Sequence, residues 1–478
     1  MLPEALESLN ETSPPSTASI GALLDRLDAL LASQKLLLTK NDELLSTNIA
    51  MLAEIARLNA RIAELEAKAG APPKTPDNSS VPPSSGQKSN VADASTAKGR
   101  RKGRPGVARE LAANPDVTRN IRADRCACGT VLSDADSVST HDWDHVELPP
   151  IRPVVTRIRL HTCVCPGCAK HVVAEAPVDM KPGSPFGPGI VALAVYLHAQ
   201  QMISYARLVE VFHGVFGLQI SEGAIANMLA RCETPFAAEA DAIAARVRAT
   251  DAIASDETSA RVKGKTWWQW TFVTAFAVYH LIVPSRGRKV VVEFLAGQRP
   301  KAWTSDRLAA QGRHAEAHQY CLQHLIRDAQ YAVDAGDAIF APKFKRFLQL
   351  ACAAGRRRPD MSDAQMARHA RRLAGVLDRL LALVPNNIEG RKLRDAIDLE
   401  ARDKLLVFMA RRDVEPTNNA SEQALRMSVI FRKVTNGFRS NWGAKVYADV
   451  CSIVATGKRA GMTALAAIRA ALARPLTA

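Results

Sequence analysis

The sequence predicts a multidomain α+β protein: a coiled coil, a small cysteine-rich β module and a helical segment, then an α/β domain carrying a helical insertion. Three observations carry this expectation. Leucine or methionine recurs at every seventh residue near the N-terminus. Five of the nine cysteines lie between Cys126 and Cys168. Strand-like runs followed by a helix begin near Ala252.

The totals fit several units. A chain of 478 residues exceeds one ordinary domain, and typical domain sizes suggest roughly three. Its 47% hydrophobic content suits sizeable cores, and a formal net charge of +15 attracts polyanions, nucleic acid first among them. MLPEALESLNE carries acids where a secretory signal would need a basic start and an apolar stretch. The longest apolar run, Gly189 to Leu197, is broken by His198, Gln200 and Gln201 and falls short of the roughly 20 residues that span a bilayer. An intracellular protein without membrane contact is expected, with cysteines serving as thiols or metal ligands.

Residues 1–19 are expected to be disordered and 20–69 to form the coiled coil. Read as heptads, d is Leu23, Leu30, Leu37, Leu44, Met51, Leu58 and Leu65, and a is Ile20, Leu27, Gln34, Asn41, Asn48, Ile55 and Ile62. An apolar seam every 3.5 residues supercoils left-handed with a partner helix, and polar Asn41 and Asn48 favour a parallel, in-register dimer. A homodimer or higher homo-oligomer is therefore expected.

Residues 70–118, opening with APPKTPDNSSVPPSSGQKSN, lack core-forming content and are read as a disordered basic linker. It contains Arg100, Arg101, Lys102 and Arg104 around a Gly-Arg-Pro. Such a segment either lays arginines along a DNA minor groove or is a solvated charge run with general phosphate affinity.

Between residues 119 and 176, Cys126-Ala-Cys128 and Cys163-Val-Cys165-Pro-Gly-Cys168 flank Val154 to Leu160. In that run Thr156, Ile158 and Leu160 alternate with Arg157 and Arg159, as in a half-buried strand with a basic outer face. Four thiolates close a tetrahedral shell around structural Zn²⁺. The expected ligands are Cys126, Cys128, Cys165 and Cys168, with Cys163 or His161 as substitutes. Residues 184–250 read as helical. Within them, SYARLVEVFHGVFGLQISEGAIANMLARC suggests two helices broken at Gly217, with Ser221 as N-cap. Both a DNA-reading helix-turn-helix and an ordinary packed hairpin fit this pattern.

Residues 251–478 open with Ala252-Ile-Ala-Ser-Asp256-Glu257-Thr258. Strand-like runs over Trp267–Thr274 and Ala277–Val283 and a helix over Lys289–Leu295 follow. Three strands and a helix, with a carboxylate on the first strand, is how a ribonuclease-H-like domain begins. Asp306 in AWTSDR is the candidate second acid, although PKAWTS is a poor strand, and Asp328 and Asp334 are its rivals. Glu422 in PTNNASEQALR, just after a helix start, is the third. Carboxylate oxygens suit hard cations such as Mg²⁺ or Mn²⁺, which drive two-metal phosphoryl transfer. Arg426, four residues beyond Glu422, and Arg432 and Lys433 would extend a basic surface to DNA phosphates. The Ala-, Leu- and Arg-rich interval of about 316–415 is expected to be a helical insertion. In it, Cys321 and His324 share a helix face, either packed on neighbours or binding a metal or the substrate strand.

NSSVPPSSG, the CPGC segment, Asp256-Glu257-Thr258, Cys321-Leu-Gln-His324-Leu-Ile-Arg327-Asp328, Asn418-Asn419-Ala-Ser-Glu422, Arg432-Lys433 and Asn441-Trp442-Gly443-Ala444 occur in one order. Together they resemble the insertion sequence 66 transposase family. The resemblance implies a zinc-binding region, a ribonuclease-H-like catalytic domain using divalent metal, and cut-and-join chemistry on the ends of a bacterial mobile element. Carried over by matching motif, Asp256, Asp306 and Glu422 become a catalytic triad. Val81, Gly86 and Leu308 depart from the family pattern. Double-stranded DNA is the implied partner and the bacterial cytoplasm, at the nucleoid, the implied location. Accessory transposition proteins are further candidate partners. A catalytically inactive, zinc-containing DNA-binding regulator is the alternative.

Overall fold

The computed structural model describes residues 17–68, 72–79, 109–177, 180 and 183–474. The expectations for residues 1–16 and 80–108, including Arg100, Arg101, Lys102 and Arg104, lie outside the described residues.

The heptad pattern produces one unbroken helix, α1 (Thr17–Lys68). Along its described faces the seam stays in solvent: Leu30 is 67% exposed, Leu37 64% and Leu44 62%. The seam is thus not the buried face of a helix packed on its own domain.

Pro72–Ser79 departs from the disordered linker expected there. The Thr75 N–H donates to Asn78 Oδ1 (2.7 Å), and Asn78 Nδ2 donates to Pro73 O (3.1 Å) and to Asp334 Oδ2 (3.0 Å). Asn78 is buried. Composition missed this because the docking depends on a side-chain-capped turn rather than on apolar area.

In the cysteine-rich module the strand expected over Val154–Leu160 does not form. Val154 and Val155 are exposed, and the run joins no ladder among the described residues. The only strands of this module among the described residues are the hairpin β1 (Thr162–Val164) and β2 (His171–Val173).

Five helices and five strands then build the body around the site. Helices α2 (Pro188–Val195), α3 (Tyr205–Phe216), α4 (Glu222–Arg231) and α5 (Glu233–Arg248) come first. Gly217 ends α3 in a left-handed conformation (φ 62°), and the Ser221 hydroxyl accepts from Ala224 N–H to start α4. Next are β3 (Ala252–Val262), β4 (Lys265–Val273), β5 (Val278–Val283), α6 (Arg288–Leu295), β6 (Ala302–Ser305) and β7 (Ala317–Tyr320). They form one mixed sheet in the order β5-β4-β3-β6-β7, antiparallel among β3, β4 and β5 and parallel from β3 to β6 to β7.

A helical body follows: α7 (Leu322–Asp334), α8 (Ala341–Arg357), α9 (Asp363–Leu381), α10 (Ile388–Ala396) and α11 (Val407–Ala410). The chain then returns as α12 (Asn419–Thr435), α13 (Asn441–Arg459) and α14 (Ala464–Ala473). Because β7 belongs to the sheet, the helical run begins after it rather than near residue 316.

Strand alternation separates two cores. Ile253 and Trp303 pack into the core shared by α2–α6 and α12–α14, while Ala252 and Ala302 face the core of the helical body. The free edge of β5 is covered by α13. Ser452 Oγ accepts from His280 N–H (2.8 Å) and Thr456 Oγ1 from Val278 N–H (3.0 Å), so edge donors that could pair with another chain are satisfied internally. No described helix is long and apolar enough to cross a membrane.

Candidate active site

The site grows from the parallel pairing of β3 and β6. Ala252, Ile253 and Ala254 pair with Ala302, Trp303 and Thr304. Continuing that register two residues brings Asp256 level with Asp306, just past the last residue of β6. PKAWTS is a poor strand by propensity. Its Ala302–Ser305 core is nevertheless buried throughout, as a central parallel strand requires.

The third acid reaches the same place through α12. Its N-cap, Asn418, does not cap the helix with its side chain. Instead Asn418 Nδ2 donates to Ser255 O (2.9 Å), and Asn418 N–H donates to Cys321 Sγ (3.2 Å). Those two bonds fasten the first turn of α12, which carries Glu422, to the residue before Asp256 and to the start of α7.

The electrostatics follow from this convergence. The Asp256 carboxylate accepts the Glu257 backbone N–H (2.9 Å), and no side-chain cation pairs with it among the described residues. Burial, then the charges of Glu257, Asp306 and Glu422, push its carboxyl well above the usual range. Glu257 is raised by burial and by Asp306. Its charge is partly offset by Arg286 (2.8 Å), which stacks on Trp268, and Gln311 Nε2 also donates to it (2.7 Å). Asp306 Oδ1 accepts from Leu308 N–H (2.9 Å), which shapes the turn after β6. The rivals of Asp306 are engaged elsewhere: Asp328 pairs with Arg307 (2.8 Å), and Asp334 holds Asn78.

Several buried polar atoms near these acids lack a hydrogen-bond partner among the described residues: Ser255 Oγ, Thr271 Oγ1, His324 Nδ1, Asn418 Oδ1 and Ser421 Oγ. Thr271 pairs with Asp256 across β3 and β4, and Ser421 precedes Glu422. The charges of Glu257, Asp306 and Glu422 all act on Asp256, so the acids face one region, while their ligand atoms are not gathered into one set within 4.8 Å among the described residues.

A family model described as Transposase IS66 family matches residues 183–446, more than half of the chain. The chain belongs to that family. The match includes Asp256, Asp306 and Glu422 and leaves out α1 and the cysteine module. No curated protein matches the chain.

In this IS66-family chain the expected DNA contacts divide. Arg157, Arg159, Arg426 and Lys433 are exposed. Arg432 is half-buried, and its guanidinium donates to Ser259 on β3, so it holds α12 to the sheet. The four expected zinc ligands sit as two pairs. Cys126 and Cys128 lie in a tight turn with Gly129 N–H donating to Cys126 O (2.8 Å); Cys165 and Cys168 lie in another with Ala169 N–H donating to Cys165 O (2.8 Å). The Thr130 hydroxyl, backbone N–H groups and Cys126 draw the Cys128 thiol down to about 7. The N–H groups of Gly167 and Cys168 lower Cys165. Both turns thus favour thiolate. Among the described residues the two pairs are not gathered into one ligand set. The one such set is Cys321, His324 and Glu422.

Arg286, Gln311 and Asn418's bond to Ser255 had no sequence signal, since each acts across a separation that no local pattern encodes.

Proposed function

We propose that the chain is a DNA transposase that cleaves and joins the ends of a bacterial insertion sequence by two-metal phosphoryl transfer at Asp256, Asp306 and Glu422. The observation that carries this reading is that the charges of Asp306 and Glu422 act on Asp256: Asp256 on β3 stands level with the residue just past β6, and Glu422 lies in a helix start tied to β3. A β5-β4-β3-β6-β7 sheet with its first three strands antiparallel supports a ribonuclease-H-like catalytic domain.

Mg²⁺ or Mn²⁺ held by the three carboxylates would activate the attacking oxygen and stabilise the leaving one. The protein's own part is positioning. Asn418 sets the approach of Glu422, and Leu308 N–H fixes the Asp306 carboxylate. Arg286 and Gln311 hold Glu257, leaving Asp256 as the acid of that pair without a cationic partner. Exposed Arg426 and Lys433 would take DNA phosphates, whose contacts set register rather than sequence choice.

The remaining modules fit the handling of two DNA ends. The exposed Leu30, Leu37 and Leu44 row of α1 supports self-association through a coiled coil, with Asn41 and Asn48 setting register. Cys126, Cys128, Cys165 and Cys168 would close on structural Zn²⁺, and Arg157 and Arg159 would face DNA alongside the Arg100–Arg104 cluster. Action on a bacterial element places the protein in the cytoplasm, at the nucleoid, working with accessory proteins where transposition requires them.

The test is strand cleavage and strand transfer on a labelled element-end duplex with Mg²⁺ or Mn²⁺. Metal-dependent products from wild type, lost in Asp256→Ala and Glu422→Ala while DNA binding persists, are expected. Equal cutting by the mutants would overturn the site. Binding without any cutting by wild type would favour the inactive regulator.

A further inference from the structure

We propose that Cys321, His324 and Glu422 form a second cation site, selective for a borderline-soft divalent metal such as Zn²⁺, which shares Glu422 with the carboxylates that use Mg²⁺. Only the consequence for cleavage rests on the catalytic reading above; the binding itself does not.

The ligand atoms of the three residues all lie within 4.8 Å of one another, and His324 Nδ1 is 3.8 Å from Glu422 Oε1. Ligand atoms around tetrahedral Zn²⁺ stand roughly 3.5 Å apart, given metal–ligand bonds of about 2.0–2.3 Å. Small side-chain adjustments would therefore close the set. A direct His324–Glu422 hydrogen bond is excluded at 3.8 Å. The imidazole Nδ1 is buried without a hydrogen-bond partner among the described residues and has the Glu422 carboxylate as its near neighbour.

The set is also preorganised. Cys321 is the N-cap of α7, and its backbone N–H donates to Ser305 O (2.8 Å) at the end of β6. His324 follows one turn later on the same helix, and Glu422 comes from the first turn of α12. Asn418 N–H donates to Cys321 Sγ, fixing one helix start against the other. Backbone ties hold two of the elements before any ion arrives.

Donor chemistry sets the selectivity. Mg²⁺ takes carboxylate and water oxygens, whereas thiolate and imidazole favour Zn²⁺ and its later transition-row neighbours. Zn²⁺ binds thiolate, so binding must displace the Cys321 proton and will strengthen with pH. Three protein ligands leave one position for water or a DNA oxygen. A cation seated here withdraws Glu422 from Asp256 and Asp306. Zn²⁺ should then oppose the reaction that Mg²⁺ supports.

The experiment is Co²⁺ titration of the full chain, followed by thiolate-to-cobalt absorption and by calorimetry, for wild type, Cys321→Ser and His324→Ala. The cysteines between 126 and 168 are untouched in all three, so their contribution cancels in the difference. Each variant is expected to bind one fewer Co²⁺ per chain, or to bind that ion at least tenfold more weakly. Glu422→Gln, which keeps the side-chain shape, should weaken the same ion and guards against a fold defect in the other two. Identical stoichiometry and affinity in all the proteins would overturn the site. In Mg²⁺-supported cleavage, the half-inhibitory Zn²⁺ concentration should rise tenfold or more in Cys321→Ser. Equal inhibition of both proteins would overturn the sharing of Glu422. If no protein cleaves DNA, the catalytic reading fails, and the Co²⁺ difference still decides the site.

Discussion

Replacing Asp256 with Asn should stabilise the protein when metal is absent. Asp256 retains its proton to a higher pH in the folded chain than an ordinary carboxyl would, because it is buried beside three other carboxylates. Between its ordinary and folded values, folding therefore takes up a proton, and stability falls as pH rises through that window. A single proton can cost at most about 1.4 kcal/mol per pH unit, which caps the penalty between pH 5 and pH 7 at about 3 kcal/mol. For a domain of this size each kcal/mol moves the melting temperature by roughly 2–4 °C. Metal-free Asp256→Asn should then melt up to about 10 °C above wild type at pH 7, with a smaller gap at pH 5. Saturating Mg²⁺ should reverse the order, since an ion at about 100 times its Kd adds about 2.7 kcal/mol to the protein that binds it. Differential scanning fluorimetry at both pH values, with EDTA or Mg²⁺, reads all four states. The reasoning is refuted if metal-free Asp256→Asn is the less stable protein at pH 7 and Mg²⁺ raises both midpoints equally.

Other perturbations test the frame around the site. Asn418→Ala removes one of the ties between α12 and β3, leaving that of Arg432; urea unfolding should show a loss of about 1–3 kcal/mol, and DNA cleavage should fall more than DNA binding. Arg358 is buried, with Nη1 donating to the carbonyls of Phe408, Arg411 and Val414. Arg358→Met should cost about 3–5 kcal/mol in the same assay, and Lys should recover little because it lacks the planar fork. A Cβ on Gly390 would sit 2.5 Å from the Asp337 carboxylate, which accepts Ala341 N–H at the start of α8. Gly390→Ala should lower stability by about 1–3 kcal/mol in thermal melts. Leu37→Asp with Leu44→Asp places charges in the exposed seam of α1 and should reduce the sedimenting species to monomer.

What the sequence disclosed depended on how local each signal was. The helix at α1, the Gly217 break and the Ser221 cap are properties of a few neighbouring residues, and each appears where expected. Asp256 and Glu422 stand out as candidates because one ends an apolar run, the other follows a helix start and both fall in matched motifs; they lie on β3 and in the first turn of α12. Asp306 was harder. Its strand is four residues long and owes its existence to burial between β3 and β7, which no propensity reports. Val154–Leu160 failed in the opposite way: the alternation is present, but a strand needs a partner as well as a pattern. The Pro72–Ser79 turn and the guanidinium of Arg432 show a third case. Polar residues that read as solvated or DNA-facing were captured by single acceptors far along the chain, Asp334 and Ser259.

The long interval between Asp306 and Glu422 raises the question of how the third acid finds the first two. The helical body has its own core, built around Phe340, Phe344, Leu348 and Phe408. Its entry and exit are joined: Leu322 N–H donates to Pro416 O (3.0 Å) and Asn418 N–H to Cys321 Sγ. The chain leaves the sheet and returns to it at one point. Two hydrogen bonds close the neck, and Gln319 on β7 ties the body to the sheet beside it by donating to Leu405 O (3.1 Å) and accepting Phe408 N–H (3.1 Å). A self-contained body on a closed neck can vary at its far end with little effect on the acids. Changes at Cys321, Pro416 or Asn418 have no such insulation, because those residues fix where Glu422 stands.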